Sequence, residues 1–124
     1  MELFSCLDLF SGKLLLDQAE KTLLDLVHST RDLQVLTVVG IPLRTENRLI
    51  NAAVVFQQGH SLGVVPKTYL PNYKEFQEQR WFTSANDLQH DTIRIGNSNY
   101  PMGSHLLFES GSISVGIELC EDLW

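Results

Sequence analysis

The sequence of 124 residues contains 9 Lys and Arg against 15 Asp and Glu, which gives a formal net charge of −6. This acidic balance argues against a nucleic-acid partner, because phosphate binding depends on clustered basic side chains. With 44% hydrophobic and 19% charged residues, the composition is that of an ordinary soluble domain. A chain of this length supports one domain with a real core and no more.

Membrane insertion and secretion are not expected. The longest apolar runs, residues 35–41 and 52–56, have the length of strands and fall far short of the ~20 residues of a membrane helix. Glu2 stands where a secretory signal would carry Lys or Arg, so we expect a cytoplasmic protein. The cysteines, Cys6 and Cys120, lie at opposite ends of the chain and predict neither a disulfide framework nor a metal pair.

Residues 14–27 predict an amphipathic helix, because apolar side chains recur there at helical spacing between charged ones. The apolar positions are Leu16, Ala19, Leu23, Leu26 and Val27. Ser11 or Gly12 lies where the helix should begin, and Ser29 and Thr30 lie near its expected end.

Strands are expected after the helix. Residues 35–41 form a β-branched run that ends at Pro42, which is typical of a strand buried on both faces. Residues 51–65 predict an antiparallel hairpin whose turn, 57–60, contains a glycine. We expect further short strands at 92–95, 106–109 and 113–119. A helix followed by several strands favours an α/β or α+β fold.

The segment 66–91 has no clean period and contains several charged and aromatic side chains. Long irregular segments inside small domains are often binding or active-site loops. We therefore expect functional residues in this segment.

Several catalytic signatures are absent from the sequence. There is no phosphate-binding glycine loop, no dinucleotide-binding glycine turn and no H-E-x-x-H zinc motif. Residues 112–116 lack the first glycine of a nucleophile elbow. The four histidines are spread too evenly to predict a metal site, so we assign no metal ligands.

Two side chains remain as candidates for chemistry, and each has a bland alternative. Cys120 follows the strand expected at 113–119, and the ends of buried strands form the crevice of an open α/β sheet, where a thiol could act as nucleophile. The alternative is a small buried hydrophobic residue. Lys67 follows the predicted strand end at Pro66 and could supply the cation that a reactive thiol needs. The alternative for Lys67 is a solvated lysine that guards a sheet edge.

Four segments in the same order carry a resemblance to a known family. They are residues 39–44 (VGIPLR), 62–76 (LGVVPKTYLPNYKEF), 80–82 (RWF) and 116–124 (GIELCEDLW). Together they resemble the glutaminase domain of the glutamine-dependent NAD synthetases, in the nitrilase (carbon–nitrogen hydrolase) superfamily. The similarity runs from about residue 5 to the last residue.

The resemblance implies an α/β fold, as a partial α-β-β-α sandwich of the nitrilase superfamily with a Glu-Lys-Cys triad. It assigns Cys120 as nucleophile, Lys67 as the triad lysine and Glu75 as a second, supporting glutamate. It also implies that the side chains lining a glutamine pocket are Tyr73, Glu121 and Trp124.

The implied reaction is hydrolysis of the glutamine amide. The thiolate would attack the amide, and Lys67 with a backbone N–H would stabilise the oxyanion. The ammonia would pass to a separate synthetase domain, which uses ATP and Mg²⁺ to amidate deamido-NAD. The implied partners are glutamine, that synthetase domain and further copies of the parent enzyme. No cofactor is expected in residues 1–124 themselves.

The sequence departs from the family pattern at two places. The triad glutamate has no clear counterpart, because Glu2 lies too close to the segment that begins at Asp8 and no strand precedes it. The first strand, the C-terminal half of the sandwich and the synthetase domain are also missing from residues 1–124. We therefore expect this chain to be a partial glutaminase domain that is inactive alone. The alternatives are another nitrilase-family amidase and a non-catalytic truncated isoform that acts as an interaction fragment.

Overall fold

The computed structural model describes residues 13–68, 72–73, 76–77, 82–110 and 112–119. Within these ranges the chain forms one α-helix, nine strands and one 3-10 helix. They are α1 (Lys13–Ser29), β1 (Thr37–Thr45), β2 (Arg48–Gln57), β3 (His60–Pro66), β4 (Asn72–Tyr73), β5 (Phe76–Gln77), the 3-10 helix (Ala85–Asp87), β6 (Thr92–Ile95), β7 (Ser98–Pro101), β8 (Leu107–Ser110) and β9 (Ile113–Gly116). The α/β class predicted from the sequence is confirmed at this level.

The helix α1 confirms the predicted helix and its expected end near Ser29. Leu16, Leu23 and Val27 are buried on its inner side, as the helical spacing predicted. Leu26 was expected on the same apolar stripe but is 42% exposed, because it lies at the margin of the face that α1 turns to the sheet. The expected first residues of the helix, Ser11 and Gly12, lie outside the described residues.

Strands β1, β2 and β3 form an antiparallel sheet in that order. The predicted hairpin of residues 51–65 is confirmed by β2 and β3, and its turn carries positive φ angles at Gln58 (52°) and Gly59 (80°). The turn between β1 and β2 has the same character, with φ angles of 53° at Glu46 and 59° at Asn47. Two consecutive positive φ angles match the right-handed twist of a two-residue hairpin.

The strand predicted at residues 35–41 is confirmed over residues 37–41 by β1, but its predicted burial on both faces and its end at Pro42 are wrong. Val35 is 61% exposed and precedes β1, Val38 is 44% exposed, and Pro42 lies inside the strand opposite Asn51. Among the described strands β1 pairs only with β2, so it is an edge strand of this sheet, where a proline is tolerated. The carbonyl of Asn51 accepts from Lys67 on the β3 side, so Pro42 faces a position without ladder bonds and its missing N–H costs nothing.

The two faces of this sheet pack against different elements. One face meets α1 and the hairpin of β6 and β7, and its core includes the side chains of Val27, Ile50, Val54, Phe56, Val64 and Ile95. The opposite face carries Val55 and Val65, which pack against Phe108 of β8. This alternation follows from the two-residue period of a strand.

The remaining strands form separate two-stranded hairpins. The strand predicted at 92–95 is confirmed as β6, whereas its partner β7 was not predicted. The strand predicted at 106–109 lies one residue later, as β8. The strand predicted as buried at 113–119 ends at Gly116, and Ile113 is 64% exposed.

The described part of the chain contains no helix with both the length and the apolar character needed to cross a membrane.

Candidate functional site around Lys67

Lys67 lies directly after β3, at the end of a strand whose last four residues are buried. These residues, Gly63 to Pro66, are buried because other elements pack against both faces of the sheet at this end of β3. Pro66 has a fixed φ and fixes the direction in which the chain leaves β3. Lys67 thus begins at a rigid point of the fold.

The backbone of Lys67 is held on both sides. Its N–H donates to the carbonyl of Asn51 on β2 at 2.8 Å, which extends the β2–β3 ladder by one residue. Its carbonyl accepts from the N–H of Ala85 at 3.0 Å. Both bonds join residues distant in sequence, so the position of Lys67 depends on segments before and after it.

The segment 82–87 forms the second side of this arrangement. Phe82 is buried, and the N–H of Thr83 donates to the carbonyl of Leu49 at 2.6 Å. The hydroxyl of Ser84 donates to the carbonyl of Thr68 at 2.6 Å and accepts from the N–H of Asn86 at 3.2 Å. Ser84 therefore caps the 3-10 helix and binds the residue after Lys67 with the same oxygen.

Lys67 is only 3% exposed. This excludes the solvated edge lysine that sequence reasoning had left open as the alternative. Among the described residues, no buried side-chain nitrogen or oxygen lacks a hydrogen-bond partner. Lysine is almost never fully buried unless its ammonium is partnered, so Lys67 is an uncommon position and a candidate for function.

The chain that leads to Cys120 comes close to the chain that leads to Lys67. Ile117 packs against the cluster that contains Val65 and Phe108. Val65 precedes Lys67 by two positions, and Ile117 precedes Cys120 by three. At about 3.3 Å per extended residue, the stretch from Val65 to Lys67 and the stretch from Ile117 to Cys120 can each span about 10 Å at most.

Of the six site residues predicted from the sequence, Lys67 is described with its side chain, and Tyr73 lies in β4. Cys120, Glu75, Glu121 and Trp124 lie outside the described residues. Glu2 lies outside them as well. The roles predicted for all of these residues stay predictions.

Sequence analysis missed the residues that hold Lys67 in place. The S-x-x-D spacing of Ser84 and Asp87 is a helix-capping signal and could have indicated the 3-10 helix. Glu46 was also missed. Its carboxylate accepts from the N–H of Gln89 at 3.1 and 3.2 Å and from the N–H of His90 at 3.1 Å. No local pattern could have shown those contacts, because the partners are more than forty positions away.

Two cavities of the described region lie away from Lys67. One, of about 240 Å³, is lined by charged groups that include Asp17, Glu20, Arg44 and Arg94. The other, of about 330 Å³, is an apolar groove between α1 and β1. Among the described residues, no group of three or more His, Cys, Asp or Glu side chains is arranged to hold a metal ion.

Comparison with known proteins identifies relatives of this chain. It is 43% identical over 124 residues to the glutamine-dependent NAD(+) synthetase of Mycobacterium tuberculosis (strain H37Rv) and 40% identical to that of Mycobacterium leprae. Each match covers 98% of this chain. The chain spans only 18% of the length of these curated relatives. No protein-family model matches the chain.

Solved structures of glutamine-dependent NAD(+) synthetases are also similar to this chain. The glutamine-dependent NAD(+) synthetase of Cytophaga hutchinsonii superposes with a TM-score of 0.81 at 26% identity, over 93% of this chain and 19% of that one. The enzyme of Acinetobacter baumannii, solved in complex with adenosine diphosphate, has a TM-score of 0.61 at 28% identity over 90% of this chain. The fold described above is therefore similar to a segment of these larger enzymes.

Proposed function

This chain matches a segment of the glutamine-dependent NAD(+) synthetases along almost its whole length, and from that premise we propose that it supplies part of a glutaminase centre. The centre hydrolyses the amide of glutamine to glutamate and ammonia. The ammonia then serves the ATP-dependent amidation of deamido-NAD to NAD elsewhere in the enzyme. Residues 1–124 are one part of a glutaminase domain in this proposal, within a cytoplasmic homo-oligomer.

The proposed complete domain is an α-β-β-α sandwich of the nitrilase type. The arrangement that supports it is the sheet of β1, β2 and β3, covered by α1 on one face and by the β8–β9 hairpin on part of the other. The remaining part of that second face would pack against a second sheet.

Lys67 and Cys120 are the central pair of the proposed chemistry. The thiolate of Cys120 attacks the side-chain amide carbon of glutamine, and the tetrahedral intermediate carries a negative oxygen. The ammonium of Lys67 and a backbone N–H stabilise that oxygen, which is the role of a preorganised cation in a site without bulk water. The burial of Lys67 supports this role.

The other proposed residues orient the substrate or support the pair. Glu75 is the supporting carboxylate, and Tyr73, Glu121 and Trp124 line the pocket for glutamine. A general base must also take the thiol proton, pass it to the departing ammonia and then activate water against the thioester. Glu2 does not have the sequence context of that base, so we expect the isolated chain to lack the proton shuttle.

The ATP and Mg²⁺ of the synthetase reaction belong to the rest of the enzyme in this proposal. The Acinetobacter baumannii enzyme binds adenosine diphosphate. Among the residues described for this chain, no cluster fits a metal ion, and the sequence has no phosphate-binding glycine loop. In this proposal the chain's own residues serve the glutamine reaction and the nucleotide step belongs to the rest of the enzyme.

The single observation that carries the proposal is the placement of Lys67. It is buried at the end of β3 and fixed through its backbone from both sides. Ile117, three positions before Cys120, packs against the cluster that contains Val65, two positions before Lys67. A lysine on the surface, or the sequence motif without this placement in the fold, would not support the proposed role in the reaction.

A chimera tests the proposal. The matching segment of the Mycobacterium tuberculosis enzyme is replaced by this chain, and NAD formation is measured with either glutamine or ammonium chloride as nitrogen source. We expect Cys120→Ala to abolish the glutamine-dependent reaction and Lys67→Met to lower it by about 10²-fold or more, because an oxyanion donor is lost. Both variants should retain the ammonium-dependent reaction, which shows that the enzyme is folded.

Ammonia release by the isolated chain completes the experiment. We expect no difference between the chain and its Cys120→Ala variant, since the general base is not expected in it. A Cys120-dependent rate would contradict the expected inactivity. A chimera that hydrolyses simple aliphatic amides but not glutamine would instead identify a different nitrilase-family amidase. A chimera whose glutamine reaction survives both substitutions would overturn the proposed centre and favour an interaction fragment.

A further inference from the structure

We propose that Glu46 is a positioning residue for Lys67, acting through the segment 82–91. Glu46 lies in the turn between β1 and β2, far in sequence from both Lys67 and this segment. The inference rests on the proposed role of Lys67 in the glutaminase centre.

The first step is the contact between the turn and the segment. Glu46 has a φ of 53°, which is uncommon for a residue other than glycine, asparagine or aspartate. In this conformation its carboxylate accepts hydrogen bonds from the N–H groups of Gln89 and His90. Arg48, next to the same turn, donates to the carbonyl of Asp87 at 2.8 Å. Glu46 and Arg48 therefore hold the C-terminal half of the segment through hydrogen bonds to Asp87, Gln89 and His90.

The second step runs along the segment to Lys67. The 3-10 helix (Ala85–Asp87) joins the two halves of the segment, because Ala85 at its start donates to the Lys67 carbonyl and Asp87 at its end accepts from Arg48. A 3-10 turn is short and internally bonded, here by Asp87 N–H to Ser84 and Leu88 N–H to Ala85. It transmits a displacement instead of absorbing it, so release at residues 89 and 90 moves the N–H of Ala85 that holds the Lys67 carbonyl.

The third step is the absence of a local substitute. Leu88 is only partly buried, and the described residues 86, 87 and 89–92 are exposed. The segment thus has little apolar burial of its own between Phe82 and Ile93. Hydrogen bonds hold its two ends, from Thr83 to Leu49 and from Met102 to Asp91. Between them, residues 87–90 depend on the polar contacts from Glu46 and Arg48, and Glu46 supplies most of these.

Amide hydrogen exchange on residues 1–124 tests this inference and requires no measurement of enzyme activity. In Glu46→Ala we expect exchange to become about tenfold faster at Gln89 and His90, which lose their acceptor, and about threefold faster or more at Ala85 and Lys67. Acetylation of the Lys67 amine should also accelerate and change its pH profile, with exposed Lys21 as internal reference. Glu46→Gln keeps one acceptor oxygen and should give intermediate values.

Glu109→Ala is the matched control, since Glu109 is an exposed glutamate on β8 and no change at Lys67 is expected. Faster exchange confined to Gln89 and His90, with Lys67 unchanged in both its amide and its amine, would overturn the inference. If amide exchange in β2 is also faster in Glu46→Ala, that variant is destabilised beyond the segment 82–91. The exchange rates at Lys67, Gln89 and His90 are then judged in Glu46→Gln instead. Failure of the proposed function is separate: it would show in the chimera, while these measurements would still report whether Glu46 positions Lys67.

Discussion

At the scale of single residues, the carboxylate of Glu46 is a charged group whose pKa depends on its contacts in the folded chain. The N–H of Gln89, and then that of His90, hold the pKa of Glu46 below its ordinary value of 4.5, and the positive charges of His90 and Arg48 act in the same direction. A carboxylate with a lowered pKa in the folded state contributes stability that is fully present above the ordinary value. That contribution disappears as the pH falls through the lowered pKa.

Acidification should therefore release the segment next to Lys67 before the core opens. We expect the amide signals of Gln89 and His90 to shift together below pH 4.5, with an apparent pKa under that value, while signals of β2 remain unchanged over the same range. Two-dimensional NMR during a pH titration measures both. The transition should be missing in Glu46→Gln, and an unchanged transition in that variant would assign it to another group.

The same residues show what a sequence reveals about a site. Lys67 was found because it stands after a strand and inside a specific motif. Its position was not predictable, because its backbone is held by Asn51 and Ala85, which are distant from it in sequence. The function of Glu46 was equally hidden, since its partners become neighbours only after β1, β2 and the segment 82–91 have taken their places.

At the scale of elements, the contact between β3 and the β8–β9 hairpin is the closest approach that bears on the site. A Cβ at Gly63 would lie 2.9 Å from a ring carbon of Phe108 and 3.1 Å from Leu106. Phe108 is itself buried in the cluster with Val65. Gly63 therefore allows β8 to approach β3 closely.

We expect Gly63→Ala to destabilise the chain by about 1–3 kcal/mol, as overpacking of a tight contact does. Urea unfolding followed by circular dichroism measures the change in the free energy of unfolding. Gly40→Ala is the matched control, because a Cβ there meets nothing within 4 Å, and its effect should stay within about 0.5 kcal/mol. Equal effects of the two substitutions would contradict the close approach.

Elements with a local signal were predicted, and elements set by distant contacts were not. The β2–β3 hairpin was predicted because Gly59 marks its turn between β-branched runs. The β1–β2 turn was missed because Glu46 and Asn47 are a less common pair for positive φ angles. Strand β7 was missed because its sequence of Ser, Asn, Tyr and Pro has no apolar alternation and pairs through β6.

At the scale of the whole molecule, the apolar residues divide into a main core on the α1 face of the sheet and a smaller cluster on the other face. Ile50, Val54 and Phe56 of β2 are fully buried in the main core. Leu107 and Ile113 of the β8–β9 hairpin are exposed by 66% and 64%. Stability should therefore depend on β2 far more than on the outer hairpin.

We expect Ile50→Ala to cost about 2–5 kcal/mol, since it opens a cavity among buried side chains. The matched substitution Ile113→Ala should change the free energy of unfolding by no more than about 0.5 kcal/mol. Thermal and urea denaturation of the two variants measure this difference. A large cost at Ile113 would show that the outer hairpin packs against a surface in solution, through a second molecule or another part of the chain.

The order of β1, β2 and β3 in space is also their order along the chain, and each is joined to the next by a two-residue turn. Contacts between sequence neighbours close short loops, which cost little entropy and form quickly. During synthesis on the ribosome, this meander can assemble as soon as residue 66 has left the exit tunnel, before residues 82–85 have emerged to fix the lysine that follows it. The environment of Lys67 is thus completed late, when the later part of the chain packs against a sheet that has already formed.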